Sequence, residues 1–378
     1  MLSINQLKNH TVFRDLLVSL SLFTCCLCFG VNSSAQEATE TKIDKMQLME
    51  AMSLTSNAFR SAVEKIRPSL VTIESFGGVS AVQGRIGGIR KQGEGNTTGI
   101  LISKEGHIVT SSFNFITSPP VITVITSDGE RRVAKLLGRD ETRKICLLKL
   151  NPFPGIQLPE IAPLNEITVG QWAISVGVGY GDANPAVSTG IISAKNRIGG
   201  RAIQTDANTS PANYGGPLLD IEGRVTGICV PLNPQNQAVG AGVEWYDSGI
   251  GFAIPLDGAA ELIERLKTGE RIYPGRLGIR MEANPDGSGG IRVVEVVPKS
   301  AASEAGLGHG DIIRKLNDKE VADQMELRKI MFQLEAGDEV TIVFDSHLEE
   351  KSMSATVKLG KPPAPKDDAP PMEPPKIR

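Results

Sequence analysis

Nucleophilic hydrolysis and metal binding both lean on histidine, and this chain of 378 residues has only four: His10, His107, His309 and His347. Histidine is the usual general base near neutral pH and the commonest metal ligand. Any such mechanism therefore has few residues to draw on, and no His-rich metal site or other cofactor is implied. Thiol chemistry is as sparse. Cys25, Cys26 and Cys28 crowd the extreme N-terminal segment, leaving Cys146 and Cys229 in apolar, strand-like runs. Buried free thiols and a disulfide are both open for that pair. The Gly-rich stretch from Gly77 to Gly95 lacks the G-K-[ST] of a phosphate loop and reads as a long surface loop. A formal net charge of −3 and a pI near 5.9 show no basic field, so no nucleic-acid partner is expected.

The elements that must position any chemistry follow from the patterning. Residues 1–35 carry Lys8 and Arg14, an apolar run from Leu16 to Val31, and a small-residue exit at Ser33-Ser34-Ala35. That is the layout of a secretory signal peptide; the rival, an uncleaved anchor, needs roughly 20 apolar residues. Residues 36–66 form an N-terminal helical segment, with apolar side chains from Met46 to Ile66 at roughly helical spacing over 42–66. From Thr97 onward short β-rich segments alternate with turn signals, the pattern of an all-β barrel or sandwich. One helix interrupts them, D-G-A-A-E-L-I-E-R-L-K, expected to be capped by Asp257 and to run out at Gly269. Residues 273–360 read as a separate α+β module with a helix over 324–334, and the Pro-rich residues 361–378 as a disordered tail.

In this order the motifs T-G-I-L-I-S-K-E-G-H-I-V-T, V-S-T-G-I-I-S-A, Q-T-D-A-N, Y-G-G-P-L-L-D-I-E-G-R-V-T-G-I and G-I-G-F-A-I-P resemble the HtrA/Deg family of exported serine proteases. The resemblance implies a mostly β fold: a chymotrypsin-like double β-barrel over 67–272, followed by an α+β PDZ domain over 273–360. It also implies where a catalytic triad belongs, and there the chain departs from the family. The T-[NS]-x-H motif that supplies the general base reads Thr110-Ser111-Ser112-Phe113. Lys144 stands where T-D-[LI]-A-x-L-K supplies the orienting aspartate, and Tyr214 replaces the serine of G-N-S-G-G-P-L. Ala212 occupies the place of the glycine that frees the oxyanion loop.

These replacements cannot run the family's chemistry. The serine is nucleophilic only because histidine takes its proton and aspartate orients that histidine. Phe113 accepts no proton, and Tyr214 carries a phenol of pKa near 10. Lys144 as a desolvated base for Tyr214 is the one escape, and in the family geometry Phe113 blocks that path. Ser111, Ser112 and Ser210 are nearby hydroxyls outside the nucleophile turn, expected in surface or capping roles. His107, His309 and His347 are expected in exposed turns. The expectation is an exported pseudoprotease whose Phe113 and Tyr214 rings either stack and plug the cleft or have drifted without mutual contact.

In the second module, Arg276-Leu277-Gly278-Ile279 resembles the PDZ loop whose backbone N–H groups capture a peptide C-terminus. A ligand would add as a strand beside Ile279, facing the helix that carries Leu327, Ile330 and Met331. Expected partners are peptide C-termini or unfolded chains, a homo-trimer through residues 42–66 if these are not a simple packing helix, or an active relative by co-assembly. An unoccupied PDZ shell, an active endopeptidase with a displaced site, and a structural envelope-assembly protein are the competing readings.

Overall fold

The computed structural model describes residues 45–76, 96–115, 119, 121–179, 184–232 and 249–362. The signal peptide, the Gly-rich loop and all but the first two residues of the Pro-rich tail lie outside them. Helix α1 (Lys45–Ile66) matches the apolar spacing, and its last turns bury Ala62, Val63 and Ile66 in the core beside the barrels. A 3-10 turn at Arg67–Ser69, with Pro68 as its second residue, ends it, as the missing N–H and fixed φ of proline require.

Two closed six-stranded barrels follow. The first is built from β1 (Leu70–Phe76), β2 (Thr97–Leu101), β3 (His107–Ser111), β4 (Val121–Ile125), β5 (Arg131–Asp140) and β6 (Ile145–Leu150). The order β5-β4-β1-β2-β3-β6 closes by pairing β6 back onto β5. The second barrel contains β7 (Trp172–Gly177), β8 (Ala186–Asn196), β9 (Ala202–Thr205), β10 (Pro217–Leu219), β11 (Val225–Val230) and β12 (Gly251–Ile254). Closure removes the unpaired edges that a sheet of this size would otherwise expose. Helix α2 (Ala260–Lys267) then returns the chain to the first barrel, where β13 (Arg271–Ile272) pairs in parallel with β5.

The rest is an α+β module. Strands β14 (Ile279–Ala283), β15 (Ile291–Val296), β16 (Ile312–Leu316), β18 (Glu339–Ser346) and β19 (Lys351–Lys358) form one sheet, with β17 (Lys319–Glu320) hooked onto β16. Helices α3 (Ala301–Glu304) and α4 (Gln324–Met331) pack on it around Leu277, Ile291, Leu327, Ile330 and Phe344. The double-barrel and α+β fold class expected from the motifs is therefore present.

Three local expectations need correction. Asp257 does not cap α2: the helix starts after Ala259 with no side-chain cap, and the Asp257 carboxylate instead accepts from the Leu164 N–H at 2.8 Å. The helix expected over 324–334 ends at Met331, and its cap is Asp323, whose carboxylate accepts from Glu326 N–H at 2.8 Å. His107 is not an exposed turn residue. It opens β3 and is buried, whereas His309 and His347 are exposed. Cys146 and Cys229 are free, each buried in a barrel, and burial pushes both thiols up to about 12.

Candidate functional site

The end of β3 carries Phe113 on a 3-10 turn, Ser112–Phe115. Ser111 shapes that turn: its Oγ accepts from Phe113 N–H at 3.2 Å and donates to the Lys144 carbonyl at 3.3 Å. Ser112 N–H donates to the same carbonyl at 2.8 Å. Both serines are buried, so the capping role holds for Ser111 and the surface role does not. Phe113 itself is 3% exposed.

Tyr214, also 3% exposed, sits on the tight turn that leads into β10. The N–H groups of Asn213 and Tyr214 both donate to the Ser210 carbonyl, at 2.9 and 3.0 Å. Two threonines of β2 hold the turn from below: Thr98 Oγ1 donates to Ala212 O and Thr97 Oγ1 to Tyr214 O, each at 2.8 Å. Gly215 has φ +84°, and a Cβ there would collide with Thr98 O and Thr110 Oγ1, so only glycine fits. The folded barrels bring the two aromatic residues together. Their ring centroids lie 5.3 Å apart at an interplanar angle of 62°, an edge-to-face contact within the favourable range.

An oxyanion hole at this turn would use the N–H groups of residues 212 and 214. The Tyr214 N–H is instead committed to Ser210 O. Ala212 is buried, its carbonyl taken by Thr98 and by Gly179 N–H at 3.3 Å. The Tyr214 N–H and the Ala212 carbonyl are thus both engaged within the protein.

Lys144 adopts φ +59°, and its ammonium faces Glu141 at 3.9 Å. Burial pushes the amine below its ordinary range, opposed by Glu141 and reinforced by Arg139. Behind it, Asp140 is fully buried and accepts from the N–H groups of Thr142 and Arg143 and from the Arg143 guanidinium at 2.6 Å. The lysine therefore belongs to an ionic loop, joined to the Phe113 turn through its backbone carbonyl. Elsewhere, Ser103 Oγ lies 2.7 Å from His107 Nδ1 and also accepts from His107 N–H at 3.3 Å. The pair locks the β2–β3 turn, in which Gly106 N–H donates to Ser103 O.

The loop Arg276–Ile279 in the α+β module is anchored on both sides. Arg276 exchanges two backbone hydrogen bonds with Gly360, each 3.0 Å, while Leu277 O and Gly278 O accept from Ala302 and Val297. Gly278 has φ +79°. No described residue accepts from the N–H groups of Leu277 or Gly278, and Arg276 Nε is buried without a partner among the described residues. Next to the loop, β14 is an edge strand, paired among the described residues only with β15. Leu277, Ile279, Leu327, Ile330 and Met331 share one apolar cluster, Leu327 and Ile330 buried and Ile279 and Met331 partly so. Across that edge, Gln324 Nε2 donates to Met281 O at 3.3 Å. The sequence places Gln324 at the helix start, where the D-x-x-E cap from Asp323 to Glu326 marks it, but gives neither Gln324 nor Met281 a binding role.

Among the described residues, one carboxylate makes two ion pairs from the module to the barrel domain. Glu335, half-buried, takes Arg143 Nη1 at 3.1 Å and Arg265 Nη2 at 2.9 Å. Burial works against its ionisation, but the two guanidinium groups hold the carboxyl below its ordinary range.

Residues 97–228 match the trypsin-like peptidase domain model and residues 275–359 the PDZ domain model. Among curated proteins, the chain is 29% identical over 372 residues to the serine protease Do-like HtrA of Lactococcus lactis subsp. cremoris, covering 87% of this chain and 88% of that one. It is 30% identical over 262 residues to the probable periplasmic serine endoprotease DegP-like of Rickettsia prowazekii, covering 65% of this chain but only 49% of the relative. Among solved structures, the HtrA-type protease AlgW with decapeptide superposes with a TM-score of 0.61 at 24% identity, over 81% of this chain and 99% of that one. The serine endoprotease from Yersinia pestis does so at 0.60 and 25% identity, over 81% and 98%.

Proposed function

The chain belongs to the HtrA/Deg family, and from that premise we propose that it is a catalytically inactive member that binds peptides or unfolded chains through its PDZ groove. The observation that carries the first half is the contact between Phe113 and Tyr214. At the two positions where the family motifs put a base and a nucleophile, this chain has two packed rings, and Phe113 cannot take a proton from Tyr214. The Tyr214 N–H bonded to Ser210 supports the same reading, because one of the two donors that an oxyanion hole at this turn would use is already engaged. Even with an intact hole, triad loss leaves acceleration of only about 10³–10⁴ over water.

The second half rests on the Leu277 and Gly278 N–H groups beside an open β14 edge, the arrangement that captures a terminal carboxylate and extends a sheet. The AlgW relative was solved with a decapeptide. The Rickettsia relative named as periplasmic and the signal-like residues 1–35 support an exported role at the cell envelope, in protein quality control. Regulation of an active relative by co-assembly is the accompanying reading, through residues 42–66, since family members commonly form trimers through N-terminal segments.

The test uses the purified full chain in three assays. Casein hydrolysis and labelling by a serine-directed phosphonate are both expected to be absent. A library of random peptides with free C-termini is expected to yield ligands that lose binding when amidated. Hydrolysis together with labelling would establish an endopeptidase with a displaced site. Failure to retain any peptide would favour a structural envelope role.

A further inference from the structure

An added strand needs the outward-facing backbone groups of β14, and one of them is already engaged. Met281 O points away from β15 toward α4, where Gln324 Nε2 donates to it at 3.3 Å. A peptide lying between β14 and α4 has to donate its own N–H to that same carbonyl. The side-chain amide and the ligand backbone therefore compete for one acceptor.

We propose that Gln324 is a latch on the groove: it closes the strand-docking edge of β14 at Met281 until a ligand N–H displaces it. The inference rests on the peptide-binding reading above and adds the residue that gates it.

Three features suit Gln324 to this role. Its bond is long for an N–H···O contact, whose usual distance is about 2.9–3.0 Å, so it is readily exchanged. The helix start is fixed by the Asp323 cap, which keeps the amide opposite Met281. Beyond the helix C-terminus the chain is also held. Glu335 binds Arg143 and Arg265, and Phe332 packs so closely on Gly199 that a Cβ on the glycine would lie 2.6 Å from Phe332 Cβ. With α4 anchored at both ends, opening is a rotamer change of one side chain rather than a shift of the helix.

The latch also sets a rule for the ligand. A terminal carboxylate on the Leu277 and Gly278 N–H groups places the last ligand residue opposite Ile279. Strand alternation then puts the third residue from the end opposite Met281. That residue must carry an N–H, so proline or an N-methylated residue is excluded there.

The test measures fluorescence anisotropy of a labelled decapeptide, taken from a random C-terminal pool, on the full chain. Gln324→Ala and Gln324→Met both remove the donor, the second at nearly constant size. Each is expected to tighten binding about two- to three-fold, the lower end of what one hydrogen bond contributes. N-methylation of the third residue from the end is expected to abolish binding to all three proteins. Unchanged or weaker binding by both variants, or full binding of the N-methylated peptide, would overturn the latch while leaving peptide binding intact. No binding by the native chain and both variants would remove the peptide-binding reading, and the latch with it.

Discussion

Phe113 and Tyr214 meet edge to face, with ring centroids 5.3 Å apart and planes inclined at 62°. One ring stands at the end of a strand of the first barrel, the other on a turn of the second. The contact fills the junction of the barrels with aromatic carbon, and four expectations follow from this junction and the groups around it.

Restoring residue types alone will not restore catalysis. The triple variant Phe113→His, Lys144→Asp, Tyr214→Ser is expected to stay inactive on a fluorogenic peptide, because the N–H of residue 214 remains bonded to Ser210 O. Adding Ala212→Gly, which frees the preceding backbone, should give the higher rate of the two. Efficient turnover by the triple variant would show that the turn is no barrier.

The aromatic pair should also act as a cohesive unit between the barrels. Phe113→Ala and Tyr214→Ala are each expected to cost about 3–5 kcal/mol, as large-to-small changes at buried aromatic positions do. A double-mutant cycle in urea should show coupling of about 0.5–1.5 kcal/mol. Strict additivity would mean that the rings touch without interacting.

Acid should loosen the link between the barrels and the PDZ module. The folded-state pKa of Glu335 is depressed, so its contribution is complete above the unfolded carboxyl pKa of about 4.3 and is lost as pH falls through the lower folded value. Glu335→Gln should cost about 1 kcal/mol at neutral pH, since Arg143 keeps Asp140 and Arg265 keeps Glu270. Melting curves from pH 7 to 3 should converge for the native and variant chains. A gap that widens toward acid would refute the assignment.

The thiols should be silent in the native state. Both are buried, with pKa values pushed up to about 12, so the reactive thiolate is scarce and shielded at neutral pH. Thiol titration with a chromogenic disulfide should read neither Cys146 nor Cys229 until denaturant is added, and then both. Absence of one or both thiols after denaturation would point to oxidation.

Much of the architecture was legible because strands repeat every two residues and helices every three to four, patterns written into neighbouring positions. The PDZ loop was legible through its resemblance to the family's carboxylate-binding loop, and in the fold Gly278 takes φ +79°. Asp257 misled because a capping residue is recognised locally, yet its carboxylate was claimed by the Leu164 N–H of a distant segment. His107 misled similarly; nothing in its neighbours says that the barrel closes over it.

By itself, the sequence determined which residue types stand at the motif positions. With only four histidines and Phe113 where the family motif has its base, the proposed loss of catalysis rests first on residue identity. Only the tertiary structure decided what those residues touch: that Phe113 meets Tyr214, that Ser210 takes the Tyr214 N–H, and that Gln324 covers Met281. It also decided that Glu335 reaches Arg143 across 192 positions of chain. Residue identity carries hydrogen-bonding capacity and charge. Which donor finds which acceptor depends on barrel closure and domain docking, and no local pattern encodes those.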